Sequence, residues 1–196
     1  MRILVLDHDG VICLSSDWGS RYKKQKDFGR KMSQGLLEMP VQYRFDNFNI
    51  KSVKILNQIL EETGSEIVIS SDWKKWANVD EMGQYYESQG IIKKPIAFTP
   101  DLNDCTNYNE DFAWNKNWDL EQSRSFEIKQ YLENHPEITH WVSVDDLDMS
   151  RNSEHKDWGL DNFVHTPKSN EGIKQKGIKE KIIKFLTDDI QDKKTS

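Results

Sequence analysis

The sequence predicts a three-layer α/β fold: a Rossmann-like parallel sheet covered by helices on both faces. Three short runs carry that prediction. Ile3-Leu4-Val5-Leu6 is continuously apolar and ends abruptly in Asp7-His8-Asp9-Gly10. Ile67-Val68-Ile69 ends in Ser70-Ser71, and Thr139–Val144 ends in Asp145-Asp146. Continuous apolar runs of this length suit strands buried on both faces. Residues 50–63 lie between the first two runs, with Val53, Leu56, Ile59 and Leu60 on one helical face. Strand, helix and strand in that order imply a right-handed crossover and a parallel pair. All three polar tips then lie on one edge of the sheet, where ligands bind in open α/β folds.

The elements follow in order along the chain. Val11–Leu14 continues the apolar character of the first strand. Residues 15–35 then become basic and aromatic. Within residues 20–31, Arg21, Lys23, Lys24, Lys26, Arg30 and Lys31 face the single acid Asp27, and Trp18, Tyr22 and Phe28 are interleaved in the stretch. The stretch reads as an insertion or flap beside the site, within a segment 15–49 that would form a minimal cap. Basic residues with aromatics suit a nucleic-acid strand; a solvated, partly helical loop is the plainer reading. Gly64 stops the helix over 50–63. Residues 74–90 read as a second helix, with Trp76, Met82, Tyr85 and Tyr86 on its buried side. Pro95–Phe98 is a short strand, and 101–121 is an irregular acidic loop. A loop of this length inside a domain is often functional. Ser123 or Ser125 would cap the next helix, whose apolar face is Phe126, Ile128, Tyr131 and Leu132. Residues 161–166 suit an edge strand, and Ile178, Ile182, Phe185 and Leu186 a last helix.

Composition bounds the functions available. With 196 residues and 36% hydrophobic content, the chain is long enough for one domain over 1–187, with 188–196 as a polar tail. The net charge of −6 argues against a general polyanion binder. Two cysteines, Cys13 and Cys105, make no disulfide framework and fit a reducing compartment. The first apolar run carries Asp7 and Asp9, unlike a signal peptide, and no stretch is long enough to span a bilayer. A cytoplasmic location is therefore expected.

The strand tips carry the chemistry. Asp7 and Asp9 would repel unless a cation or proton lay between them. Mg²⁺, held by one or two carboxylates, water and a phosphate, resolves that repulsion. Asp-Gly is also a common turn pair, so this tip alone is ambiguous. Ser70 or Ser71 could donate to a phosphate oxygen or cap the following helix. The paired acids Asp145 and Asp146 on a third strand turn single ambiguous features into a constellation.

That constellation resembles the haloacid dehalogenase (HAD) superfamily of phosphohydrolases. The matching motifs are Ile3–Val11, Ile67–Ser70 and Val142–Asp146, with a basic residue upstream of the last. Ile-Val-Ile-Ser-Ser-x-Trp-Lys at 67–74, Arg124–Ile128, His-Trp-Val-Ser-Val-Asp-Asp at 140–146 and Asn162–Thr166 resemble a narrower branch, the HAD domains of Swiss-army-knife RNA-repair proteins. The resemblance implies little or no cap. It also implies Asp7 as nucleophile, Asp9 as general acid and base, Ser70 (or Ser71) on the phosphate, and Arg124 neutralising charge, with Lys129 as competitor. Arg124 is preferred as the residue that starts its helix. Asp7, Asp9, Asp145 and Asp146 would form the Mg²⁺ site. The implied activity is phosphate release from a nucleic-acid end, such as a 3′-phosphate, or from a nucleotide. The branch further suggests a partner kinase or ligase. The rival readings are a mononucleotide or small-molecule phosphatase and a non-catalytic binding module on the same fold. His8 between the two aspartates reads as structural.

Overall fold

The computed structural model describes residues 1–29, 35–102, 119–152 and 154–188. Its strands are β1 (Arg2–Leu6), β2 (Glu66–Ile69), β3 (Pro95–Phe98), β4 (His140–Asp145) and β5 (Phe163–His165). Its helices are α1 (Ser20–Asp27), α2 (Ile50–Thr63), α3 (Val79–Ser88), α4 (Leu120–Glu133) and α5 (Ile178–Thr187). The five strands form one sheet in the order β3-β2-β1-β4-β5, with every pair parallel. The predicted fold class is therefore the observed one. The first strand in sequence sits at the centre, which is why Ile3 to Leu6 are all fully buried.

Strand alternation sorts the side chains into two cores. Leu4, Leu6, Ile67, Ile69, Val142 and Val144 meet the apolar faces of α2 and α5. Ile3, Val5 and Val68 pack instead with Ile128 and Tyr131 of α4. The acids at the tips of β1 and β4 fall on this second alternation. Asp7 follows Val5 by two, and Asp145 departs from the parity of Val142 and Val144, so both point towards α4. The register aligns the strand ends, with Leu6 opposite Ile69 on one side and Val144 on the other. The polar tips therefore emerge side by side.

Several local expectations need correction. Residues 74–90 are not one helix: Asp72–Trp76 forms a 3₁₀ turn and α3 starts at Val79. Asn78 resets the chain through a capping box, accepting from Glu81 N while the Glu81 carboxylate accepts from Asn78 N. Met82, Tyr85 and Tyr86 are buried as expected, but Trp76, in the 3₁₀ turn, is exposed. Helix α4 is capped by Asp119, whose Oδ1 accepts from Gln122 N at 2.8 Å, and not by Ser123 or Ser125. Ser125 Oγ donates instead to the carbonyl of Trp158.

Segment 15–49 divides into two parts. Among its described residues, 15–29 bury only Gln25, whereas Met39, Val41, Phe45 and Phe48 belong to the core. Most of the predicted 101–121 loop, including Cys105, lies outside the described residues, as do 189–196 of the tail. Among the described residues, no helix is long and apolar enough to cross a membrane.

Candidate active site

The turn after β1 sets the geometry of the site. The His8 carbonyl accepts from the amides of Val11, Ile12 and Cys13, which folds the Asp-His-Asp-Gly segment back on itself. Gly10 is needed there twice over. Its φ is +68°, and a Cβ would stand 2.2 Å from Asp146 Oδ2. The absent side chain lets the tip of β4 close against the turn after β1.

Asp7 and Asp145 lie on the floor of the resulting cleft, 3% and 1% exposed. Arg124 bridges them. Its Nη1 lies 3.2 Å from Asp7 Oδ1 and donates to Asp145 Oδ2 at 3.0 Å, and its Nη2 stands 3.7 Å from Asp72 Oδ2. The second oxygen of Asp145 accepts from Leu147 N at 2.9 Å. Arg124 occupies the second turn of α4, not its start, because Asp119 opens the helix one turn earlier. Lys129 is directed elsewhere: its Nζ donates to the Asp157 carbonyl and lies over the Phe126 ring.

Asp7, Asp145 and Asp146 each bring a carboxylate oxygen within 4.8 Å of the other two. Burial, then the neighbouring Asp145 charge, holds the Asp7 carboxyl well above the usual range, against the pull of Arg124. Burial also raises Asp145, with Arg124 opposing. Asp146 is pushed up to about 6 by burial and by Asp145. Burial alone would lower Arg124, but Asp7 and Asp145 outweigh it and the guanidinium stays charged. Three crowded carboxylates against one guanidinium leave excess negative charge. That donor set fits a hard divalent cation bound through oxygen.

Asp9 is held apart from this group. Its Oδ2 accepts from Trp73 Nε1 at 2.8 Å. Burial raises its carboxyl, and the Trp73 hydrogen bond works the other way. Trp73 is itself fixed by near-parallel stacking on Phe45, at 4.7 Å and 7°. His8 is fully buried, shares a 2.8 Å hydrogen bond with Tyr86 Oη and packs on Trp73. Burial and then Arg124 hold its imidazole down at about 3, so it is neutral and serves as structural filling.

A cleft of about 160 Å³ is lined by Asp7, Asp9, Ser71, Asp72, Arg124 and Asp146, among others. Ser71 borders this space. Ser70 does not; it is 1% exposed, and its Oγ has no hydrogen-bond partner among the described residues. Sequence reasoning did not assign the roles of Trp73 and Asp72. Trp73 stands in the 67–74 motif that carries the resemblance, and Asp72 is signalled only by its place two residues beyond Ser70. Asp148, near the paired acids, accepts from Ser150 N at 3.0 Å and is not in the carboxylate group.

No curated protein and no solved structure matches the chain. A family model described as the HAD domain in Swiss Army Knife RNA repair proteins matches residues 3–177. That span runs from the second residue of β1 to the residue before α5 and includes all of the other strands and every residue of the cleft. The chain belongs to the family of HAD domains found in Swiss Army Knife RNA repair proteins.

Proposed function

We propose that the protein is a Mg²⁺-dependent phosphatase that removes a phosphate, foremost a 3′-phosphate, from a nucleic-acid end through an aspartyl-phosphate. The supporting observation is the bridge of Arg124 between Asp7 and Asp145, with Asp9 held separately on Trp73. Asp7, Asp145 and Asp146 would hold the cation, which supplies positive charge to the phosphoryl oxygens.

An Asp7 carboxylate oxygen attacks phosphorus, and the bond from phosphorus to the leaving oxygen breaks. Splitting the displacement into two steps is what carboxylate nucleophiles offer. Arg124 draws the buried Asp7 carboxyl towards its ionised form, against burial and Asp145, and offsets charge on the transferring group. Asp9, whose carboxyl is raised by burial, gives its proton to the leaving oxygen. It then takes a proton from the water that hydrolyses the aspartyl-phosphate, releasing inorganic phosphate and freeing Asp7. Ser71, on the cleft wall, is placed to donate to a non-bridging oxygen; Ser70, whose hydroxyl has no partner among the described residues, is the alternative donor. A kinase or ligase acting on the same ends would be a partner in keeping with the RNA-repair family.

Phosphate release with Mg²⁺ and with chelator tests this reading. The panel holds 3′- and 5′-phosphorylated oligonucleotides, mononucleotides and an aryl phosphate. Preference for one oligonucleotide end, lost with chelator and in Asp7→Asn, is the expected result. No Mg²⁺-dependent release from any substrate would overturn it. The net charge of −6 favours a second reading, a mononucleotide phosphatase. Added salt separates the two, because polynucleotide binding weakens steeply as salt rises.

A further inference from the structure

We infer that Trp18, Arg21 and Tyr22 form the subsite for the leaving side of the substrate, and that they receive an unpaired nucleobase next to the scissile phosphate. The inference rests on the phosphatase reading above and specifies what that site accepts.

The first support is continuity. A second cleft, of about 480 Å³, has Asp9 and Asp146 on its inner side and Trp18, Arg21 and Tyr22 on its outer side. Asp9 and Asp146 also line the small cleft that contains Asp7. The group that protonates the leaving oxygen must face the leaving group. Asp9 borders the larger cleft as well as the small one, so a leaving group beside it can extend into the larger cleft, whose volume is in the range of small-molecule sites. The small cleft holds little more than a phosphate, so the rest of any substrate must extend outward.

The second support is the chemistry of the outer side. Trp18 and Tyr22 are 50% and 61% exposed, and neither belongs to either apolar core. The Arg21 guanidinium lies 5.1 Å from the Tyr22 ring centroid and donates to its hydroxyl at 3.3 Å. Lys23 and Lys26 follow on the exposed side of α1, in a chain that is acidic overall. Flat aromatic faces beside cations fit a base attached to phosphates.

The third support is preorganisation. Asp46 is 8% exposed, and its Oδ1 accepts from Arg21 N at 2.7 Å and from Ser20 Oγ at 3.4 Å. Ser20 Oγ in turn accepts from Asn47 N at 2.8 Å. The start of α1 is thereby tied to the core segment that carries Phe45 and Phe48. Gly19, at φ +84°, makes the bend that brings Trp18 and Tyr22 to the same opening.

Two measurements test the inference with a 3′-phosphorylated single-stranded oligonucleotide and its counterpart lacking the terminal base. The first is kcat/KM in the native protein, Trp18→Ala, Tyr22→Ala and Trp18→Phe. The second is binding by fluorescence anisotropy in an Asp7→Asn background. The native site should favour the base-bearing end by about 5- to 100-fold, the span expected for one base–aromatic stack. Trp18→Ala should bring that ratio close to one, and Trp18→Phe should restore most of it. A ratio unchanged by Trp18→Ala and Tyr22→Ala, or a native ratio already near one, would overturn the subsite. The binding arm separates the two claims. If no phosphorylated end is hydrolysed, the phosphatase reading fails, while base-dependent binding lost in Trp18→Ala still supports the wall and its absence rejects it. Both aromatics are exposed, so their removal should leave the unfolding midpoint close to that of the native protein.

Discussion

Asp7 and Asp145 on the cleft floor are 3% and 1% exposed, whereas Trp18 and Tyr22 on its outer wall are 50% and 61% exposed. The floor comes from the ends of two central strands, and the residue that joins them comes from a helix on the far side of the sequence. The wall comes from one local stretch at the start of α1. Buried acids demand partners, so every floor group is tied to another. Exposed aromatics demand none, and Trp18 and Tyr22 keep half or more of their surface open to solvent. The contrast separates reaction from recognition: substitutions on the floor should abolish turnover, and substitutions on the wall should change which substrate is turned over.

The floor should break hardest at Arg124. Arg124→Ala leaves Asp7 and Asp145 buried without their shared cation. Phosphate release should fall by about 100- to 1000-fold, the usual cost of losing one charge-stabilising donor. Arg124→Lys should recover only part of this, because a single ammonium lacks the fork that reaches both carboxylates. Steady-state kinetics on the best substrate of the panel would measure both.

Gly10→Ala comes next. The new methyl would meet Asp146 Oδ2 at 2.2 Å in a left-handed backbone. Displacement of that carboxylate by about 1 Å should cost about 100-fold in activity. The strained backbone should cost about 1–2 kcal/mol in denaturant unfolding. Native-like activity would show that Asp146 has room to move and is not needed where it stands.

Trp73→Phe probes the link between floor and wall. It keeps a ring against Phe45 and Phe48 but removes the hydrogen bond to Asp9. Hydrogen bonds to charged groups suggest a loss of about tenfold in kcat. The Trp73 hydrogen bond lowers the Asp9 carboxyl, so its loss should raise it. In the proposed mechanism Asp9 carries a proton to the leaving group. The high-pH limb of the first step should therefore move upward, and an unmoved limb would remove Asp9 from that role.

The smallest effect belongs to Lys129→Ala. Lys129 meets the Asp157 carbonyl and Phe126, away from the carboxylates. Stability should stay within about 0.5 kcal/mol, and activity should match the native enzyme. A large loss of activity would return Lys129 to contention as the basic residue of the site.

Much of the floor could be read directly. Apolar runs that end in acids or hydroxyls state both the strand and its reactive tip, because alternation and burial act over a few neighbouring residues. The choice of Arg124 over Lys129 rested on a helix start that Asp119 actually supplies, so the residue was placed with the acids for a different reason. Ser70 and Ser71 were not separable in sequence, since one residue decides which side of the strand end a hydroxyl leaves from. The helical reading of 74–90 puts Trp76 in the core and assigns Trp73 no partner; the 3₁₀ turn after β2 buries Trp73 and leaves Trp76 exposed.

The sequence by itself determined a central β1, a parallel sheet and an edge loaded with carboxylates. Those outcomes follow from local patterning that holds in any folded arrangement of the chain. Only the tertiary structure decided which acids share Arg124, that Asp9 is held by a tryptophan 64 residues away, and that α1 stands beside the opening. Such pairings depend on which side chains meet after distant segments close on one another. Their energies come from burial and direct contact, which local sequence order does not specify.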